Sequence, residues 1–545
     1  MARSRVARVL SWIAIVVAPV IAVFIIGLAT GSSPLDIDAW NTTYNDEHGY
    51  FWSVSQMQLY GEPSGMTGYN EQAAVRPSYG AYSPVVYIPY YLASFFTGVE
   101  SHNFVYVANM AFGILTALLV IVVLRPSVSQ SLILAALMAF HFIIGKYLCS
   151  GMSEGTYVLF AGIVAACTLY VVKVGPKGRP ALVVLALSVS ILACAFWGCM
   201  RPFLLAYLLL PCVLAFTCGS RLRKWHKAFV VLLSVLSALV SLVLYMYFAK
   251  YYVAPYFDTA TIATSITQLI AAALPSLGAQ HIECVLYSAA RLVHLKWQGI
   301  MVFSFALCWV ILLVMGIRAA RRGEKAKAGL LIALVLAGVA IFEAHLLLYS
   351  YKQMTRMFIP VDIIYLLTLI FLGVGGTSDE SPKAALSTGK HAKGSRFGIG
   401  PSPSGKPAFV ATAVTVAAVC LLCTGSLATS PESFKLPQWN EAYSEEVATS
   451  LNSDLTQLMP RSDDRWDNTV VHPIESNDMW IYFAIPRYLT TNTCKDGYIQ
   501  NAIDKDSFKS KYVSLPAGHW LNKKMNAKYP VIYEGQGHVI YQVHD

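Results

Sequence analysis

Residues 8–30 read RVLSWIAIVVAPVIAVFIIGLAT: one charge at the front, then an unbroken apolar run. A bilayer core takes about 20 residues of helix, so this stretch is long enough to cross. The same signature recurs at about 103–124, 128–148, 151–174, 180–199, 201–218, 226–248, 298–317, 327–349, 355–374 and 408–428, giving eleven expected spans. Hydrophobic types fill 56% of the 545 positions and charged types 13%, with a mean hydropathy of +0.54. The expected fold class is therefore an α-helical polytopic membrane protein. The first run is too long for a cleavable signal peptide and lacks a small-residue cleavage site, so it is expected to stay as an anchor.

Lys and Arg sort the connections between spans. The clusters Arg3, Arg5 and Arg8, then Arg125, then Lys173, Lys177 and Arg179, fall on one side with Arg221, Arg223, Lys224 and Lys227. Arg318, Arg321, Arg322, Lys325 and Lys327 follow, and then Lys383, Lys390, Lys393, Arg396 and Lys406. That side is expected to be cytoplasmic, with the N-terminus. An odd number of spans then puts residues 429–545 outside the cell, and a bacterial plasma membrane is the expected home. The formal charge of +10 is mostly this topology signal, helped by anionic headgroups, and makes no case for nucleic acid.

Most of the 11 cysteines lie in the apolar runs, where cysteine behaves as a small hydrophobe. Only Cys284 and Cys494 fall clearly outside them, so one disulfide is possible and a disulfide scaffold is not; no zinc-ligand spacing appears.

The chain divides into a membrane module at 1–375, a linker at 376–407, a last span at 408–428 and an outer domain at 429–545. The linker is rich in Gly, Ser, Pro and Lys and is expected to be a flexible cytoplasmic segment. Two large outer loops interrupt the membrane module, at 31–102 and 249–297. Within the first, residues 84–96 form a short aromatic run suited to lying in the membrane interface. The second contains helix-like stretches near 262–274 and 280–294. The outer domain has a soluble composition and the pattern of a small α/β unit: a helix over 441–458, then strands at 469–474, 479–485, 511–515, 530–534 and 538–543. The last two flank Glu534-Gly535-Gln536-Gly537 and read as a hairpin. No internal repeat is evident.

The first outer loop is acidic, with Arg76 as its one base, and it contains Asn45-Asp46-Glu47-His48-Gly49-Tyr50-Phe51-Trp52. A carboxylate in a partly closed cavity suits a general base that takes a proton from an attacking hydroxyl. Neighbouring side chains on an irregular loop diverge, so Asp46 and Glu47 would serve different roles, one as base and one to orient substrate or a metal. A solvated loop acid is the plain alternative. At the far end, Tyr351-Lys352-Gln353-Met354-Thr355-Arg356-Met357-Phe358-Ile359-Pro360 places Lys352 and Arg356 at the outer end of a span. Arg grips two phosphate oxygens at once, so such a residue suits a lipid phosphate at headgroup level. Ordinary snorkelling is the alternative.

This layout of an anchor, then Asp46-Glu47, then an aromatic helix ending near Gly61, resembles the GT-C superfamily of polytopic glycosyltransferases. Protein O-mannosyltransferases and aminoarabinose transferases share that plan. Their His-Pro-Pro-Leu-like segment has its counterpart at Tyr82-Ser83-Pro84-Val85, which keeps one proline and lacks the histidine. The resemblance covers residues 1–375. It implies inverting transfer of a sugar from a polyprenyl-phosphate donor to a glycan, lipid or protein acceptor, with Asp46 as base and Arg356 on the donor phosphate.

Several further residues are expected around the same cavity. Arg291 and Lys296, beside Trp297, are candidates for the donor phosphate. Glu154 and Arg201 begin spans on the outer side and are expected at the rim, with Arg76 and Tyr82. Glu343 and His345 lie one to two turns inside the ninth span and Asp362 about two turns inside the tenth, either lining the cavity or forming a structural pair, such as Glu343 with Lys352 or Arg356. His141 and Lys146 near the end of the third span are weaker candidates. Trp480, Trp520 and Tyr533 in the outer domain could stack on sugar rings, though core packing is the plainer reading. Mg or Mn is possible beside Asp46 and Glu47, and nothing requires either. Two other classes remain open: a ligase or polymerase of lipid-linked glycans, and a transporter or flippase of a lipid-linked precursor. The latter favours repeats and helices broken near the midplane, neither of which the sequence displays.

Overall fold

The computed structural model describes residues 2–37, parts of 47–58, 67–71, 84–97, 104–218, 222–249, 278–348, 354–374, 405–438, 445–464, 466–473, 485–486 and 488–544. Among these, eight helices are long and apolar enough to cross a membrane, or nine if one bent pair counts as a span. The straight ones include α1 (Ala2–Thr30), α3 (Phe104–Leu124), α6 (Glu154–Val174), α7 (Pro180–Gly198) and α9 (Lys224–Ala249). After them come α11 (Trp297–Arg321), α12 (Lys325–Leu348) and α15 (Gly405–Thr429). Between α1 and α3 lie strand β1 (Thr67–Tyr69) and the short helix α2 (Ile88–Thr97), which a 3-10 turn at Pro84–Tyr87 leads into. Helix α2 exposes Leu92, Phe95 and Phe96, the apolar edge expected of an interfacial helix.

Three of the eleven expected spans are not single long helices. The run at 128–148 splits into α4 (Val128–Phe140) and α5 (Phe142–Leu148), bent by 67° at His141. A break is thus present in an apolar run where the sequence displayed none, because His141 ends one helix and caps the next: the N–H of Ile144 donates to its Nδ1. The run at 201–218 opens as a 3-10 helix, Pro202–Leu208, before α8 (Leu209–Thr217), and the run at 355–374 is a one-turn α13 (Met354–Met357) followed by α14 (Ile359–Gly373). In both, proline near the start (Pro202, Pro360) removes a backbone donor and fixes the first turn. Helix α4 starts cleanly because Ser127 and Gln130 form a capping box.

A helix, α10, occupies 278–293 in the second outer loop, whereas the stretch at 262–274 lies outside the described residues, as does the linker through residue 404. The outer domain contains α16 (Glu445–Leu458), β2 (Thr469–Pro473), β3 (Thr490–Cys494) and α17 (Asp496–Lys505). It continues through β4 (Tyr512–Pro516), α18 (Asn522–Asn526), β5 (Val531–Gly535) and β6 (His538–Gln542). Its sheet has six strands in the order β1-β3-β2-β4-β6-β5, the first four parallel and the last pair an antiparallel hairpin. Strand β1 comes from the first outer loop, more than four hundred positions away in sequence: Gly68 pairs with Asn492. Neither β1 nor β3 was expected, and the proposed strand at 479–485 lies largely outside the described residues. Cys284 and Cys494 both remain thiols. Each is buried in a different hydrophobic core, so the disulfide that the sequence allowed is not formed.

Candidate functional site

The site is built on the five-residue turn 149–153 that joins α5 to α6. Buried polar groups are tolerated only when hydrogen-bonded, and this turn is bonded from three directions. Gly151 N–H donates to Glu47 Oε1 at 2.7 Å, and the Tyr106 hydroxyl donates to Glu47 Oε2 at 3.3 Å. Asn109 Nδ2 donates to the carbonyls of Ser150 and Met152 at 2.7 and 2.8 Å, while Tyr90 donates its hydroxyl to Asn109 Oδ1 at 2.7 Å. From the first loop, Tyr50 accepts from Ser153 Oγ at 3.3 Å. The loop residues Tyr50 and Phe51 pack on Tyr87 and Phe104, and Gln58 donates to Ser94 on α2. The segment after α1 is thereby pinned to the membrane module by its aromatic residues and by one acid.

Glu154, the first residue of α6, is fully buried. Its Oε1 lies 3.7 Å from Arg201 Nη2 and 3.8 Å from Arg356 Nε. Arg201 is itself buried; it donates through Nε to the Tyr157 hydroxyl, and its guanidinium carbon stands 5.2 Å from the Tyr157 ring centre. Arg356 is 28% exposed, which makes it the more accessible of the two guanidiniums. Two cations flank one carboxylate, an arrangement that favours a further anion beside them. The cluster sits three residues from Gly151, so Glu47 and Arg356 are joined through a single short peptide. Lys146 on α5 is buried, lies within electrostatic reach of Glu47, and donates to the Lys435 carbonyl at 2.5 Å.

Deeper in the module a second polar group ties four elements together. His141 Nδ1 accepts from Ile144, so its ring proton is on Nε2 and is donated to Asp362 Oδ2 at 3.0 Å. Ser304 donates to the other carboxylate oxygen, and Cys423 Sγ lies 3.9 Å from the His141 ring. Asp362 therefore completes a structural pair that closes the break at His141 against α14.

Of the residues singled out from the sequence, Glu154, Arg201 and Arg356 are brought together, and Glu47 is bonded to the turn three residues before Glu154. Asp46, Arg76, Tyr82 and Lys352 lie outside the described residues, as does Trp480. Glu343 does not pair with Arg356; its partner is His281 on α10 at 3.0 Å, and the pair docks the second outer loop on α12. His345 donates through Nδ1–H to the Ile341 carbonyl at 2.8 Å and packs against Phe203 at 4.3 Å between ring centres. Arg291 stacks on Tyr287 at 5.0 Å, and Lys296 donates to Ser430 Oγ at 2.7 Å. Lys296 thus fastens the start of α11 to the end of α15, and neither residue has a described contact with the Glu154 cluster. In the outer domain, Trp520 is 54% exposed and Tyr533 half-buried, so the first is not core packing. No group of three or more His, Cys, Asp or Glu side chains among the described residues is placed to hold a metal ion. The residue that sequence reasoning undervalued is Lys146; its only signal was a lone cation inside an apolar run.

No protein-family model matches the chain, and no curated protein sequence matches it. Among solved structures, the chain is similar to the oligosaccharyltransferase AglB from Archaeoglobus fulgidus in complex with an inhibitory peptide and a dolichol-phosphate. That match has 13% identity and a TM-score of 0.41, over 97% of this chain and 74% of the other. ArnT from Cupriavidus metallidurans bound to undecaprenyl phosphate is similar at 11% identity and TM-score 0.41, over 97% and 98% of the two chains. Apo ArnT matches at 12% identity and TM-score 0.39, over 94% and 95%. Both proteins belong to the GT-C superfamily of polytopic membrane glycosyltransferases. Likeness at these TM-scores fixes neither chemistry nor residue roles, which rest on the site itself.

Proposed function

We propose that the chain is a GT-C-type glycosyltransferase that moves a sugar from a polyprenyl-phosphate donor to an extracytoplasmic acceptor with inversion. The observation that carries this reading is the Arg356–Glu154–Arg201 cluster, joined through the 149–153 turn to Glu47 of the first loop. A lipid-linked phosphate presents its charge at headgroup level, at the end of a span, and that is where the sequence puts Arg356. In this mechanism Asp46 accepts the proton of the acceptor hydroxyl as its oxygen attacks the anomeric carbon. The bond from that carbon to the phosphate oxygen breaks, and the polyprenyl phosphate leaves with the electron pair. Arg356 stabilises the charge that grows on the leaving phosphate, while Glu154 and Arg201 hold Arg356 in place. A single displacement inverts the anomeric centre. Asp46 then gives its proton to water.

Glu47 has a different task in this scheme. Its carboxylate accepts from Gly151 and Tyr106, so it anchors the first loop one residue after Asp46 in the sequence. Purified protein in lipid nanodiscs, given a mixture of polyprenyl-phosphate sugars, should consume one class and release polyprenyl phosphate, both followed by mass spectrometry. Consumption of none of them with a competent acceptor extract would reject the reading.

One observation favours a second reading. The span broken at His141, with a buried His141–Asp362 pair at the break, is a feature of transporters. A flippase would move intact lipid-linked sugar between leaflets with no release of polyprenyl phosphate, so the same experiment separates the two.

A further inference from the structure

Among the described residues of the first outer loop, Tyr50 and Phe51 pack on Tyr87 and Phe104, whereas residues 67–71 pair with the strand at 490–494 and its neighbours. Strand β1 has only three residues, too few to hold two domains together unaided. The two residues after it, Asn70 and Glu71, both have left-handed backbone, φ 46° and 50°. Consecutive non-glycine residues in that region cost free energy and persist only where their surroundings determine them.

Among the described residues, these surroundings belong to the outer domain. Asn70 N–H donates to the Thr493 carbonyl at 3.0 Å, and Asn70 Oδ1 accepts from Lys495 N–H at 3.0 Å. Glu71 N–H donates to Asn492 Oδ1 at 2.9 Å. The Glu71 carboxylate is fully buried, and accepts from Ser510 N–H at 2.7 Å, Lys509 N–H at 3.1 Å and the Tyr498 hydroxyl at 2.9 Å. Lys509 Nζ donates to the Glu71 carbonyl instead, at 3.2 Å. A buried carboxylate held by neutral donors is satisfied in one geometry only, because moving the outer domain away would leave it without those bonds.

A second fastening lies at residues 433–438. Gln438 exchanges hydrogen bonds with Ser33, and Ile37 makes a β-bridge to Gln438. Next to it, the Lys435 carbonyl accepts from Lys146, the same cation that acts on Glu47. Residues 433–438 are thus tied both to Lys146, beside the candidate site, and to the start of the loop that carries Asp46.

We infer that Asn70–Glu71 is a clasp through which the outer domain holds the first loop over the candidate site, and that Glu71 is a positioning residue for the transfer step. The outer domain is then a working part of the site. The inference rests on the transferase reading for its catalytic consequence, but the clasp has a readout of its own.

Two variants test it, in the full chain in nanodiscs. Glu71→Ala removes every carboxylate bond, and Tyr498→Phe removes one while keeping the ring in place. Glu71→Ala should lower kcat at least tenfold while the KM for the lipid donor stays within twofold, because the donor-binding cations sit in the membrane module. Tyr498→Phe should give a smaller loss with the same split, and Glu71→Gln should restore part of the alanine loss. Hydrogen exchange at 67–71 and at the 149–154 turn should quicken at least tenfold in Glu71→Ala. Unchanged kcat in both variants, or kcat and KM changing together with the folded fraction, overturns the positioning role. Should wild-type protein release no polyprenyl phosphate at all, the transferase reading fails by itself and exchange decides the clasp: quickening at the 149–154 turn supports it, and quickening confined to 67–71 overturns it.

Discussion

Replacing Glu154 by glutamine removes the charge between two guanidiniums while keeping the side chain's shape. The carboxylate is fully buried and Arg201 nearly so, at 3% exposure, with 3.7 Å between them. At an effective dielectric of about 20, a pair at that separation attracts by about 4 kcal/mol before desolvation is counted. Breaking one partner of a buried pair costs about 3–5 kcal/mol, since the remaining charge is stranded. The Tyr157 ring and hydroxyl keep part of Arg201's stabilisation, which places Glu154→Gln near the lower end, about 3 kcal/mol. Arg356 is more exposed and its loss leaves Glu154 with Arg201, so Arg356→Met should cost about 1 kcal/mol at most. The Glu154→Leu/Arg201→Met double variant should be more stable than Glu154→Leu alone, because it strands no charge. Reversible unfolding in mixed detergent micelles gives each free energy. A Glu154→Gln loss below about 0.5 kcal/mol, or a double variant that is simply additive, would show that the three groups do not act as one buried unit.

Gly155→Ala would set a Cβ 2.1 Å from Asn109 Oδ1. Asn109 must then leave the 149–153 turn, so stability should fall by about 1–3 kcal/mol and turnover with it, and a fully active, equally stable alanine variant would refute the turn's role. In the outer domain, burial and the neighbouring Glu71 carboxylate push the Tyr498 hydroxyl up, and burial with the charge of Asp467 pushes Tyr512 up to about 12. Folded pKa values above the unfolded value of about 10 favour the neutral phenols, so their contribution is complete below pH 10 and declines as pH rises toward 12. Thermal melts of the full chain from pH 8 to 11.5 should show that decline, and Tyr498→Phe should flatten it; a pH-independent melt would contradict it.

The membrane module was legible because apolar runs announce spans without help from tertiary context. The three departures have causes that hydropathy does not record: prolines at the start of two of them, Pro202 and Pro360, and a remote partner for the third. Residues 128–148 contain no proline at the bend, and the break depends on His141 finding Asp362 more than two hundred positions later. Strand β3, Thr490-Thr491-Asn492-Thr493-Cys494, sits between β1 and β2 and is almost wholly buried, yet carries no apolar alternation to mark it. Strand β1 is three residues whose partner is remote, and only the pairing reveals it. At the site, Glu154, Arg201 and Arg356 were each legible as polar residues at the ends of spans, but not their convergence on one carboxylate. Lys146 was legible only as a weaker candidate and the Glu71 clasp not at all, since burial and hydrogen bonding alone distinguish them from ordinary loop and helix-end charges.

The account turns on Asp46 and Arg356 serving one lipid headgroup. Rapid mixing of excess nanodisc-held protein with the polyprenyl-phosphate sugar and acceptor separates donor binding from transfer in a single turnover. Asp46→Asn should bind donor as wild type does and transfer at least a hundredfold more slowly, while Arg356→Ala should weaken donor binding and slow transfer together. Transfer at the wild-type rate by Asp46→Asn, or donor affinity untouched by Arg356→Ala, would contradict it.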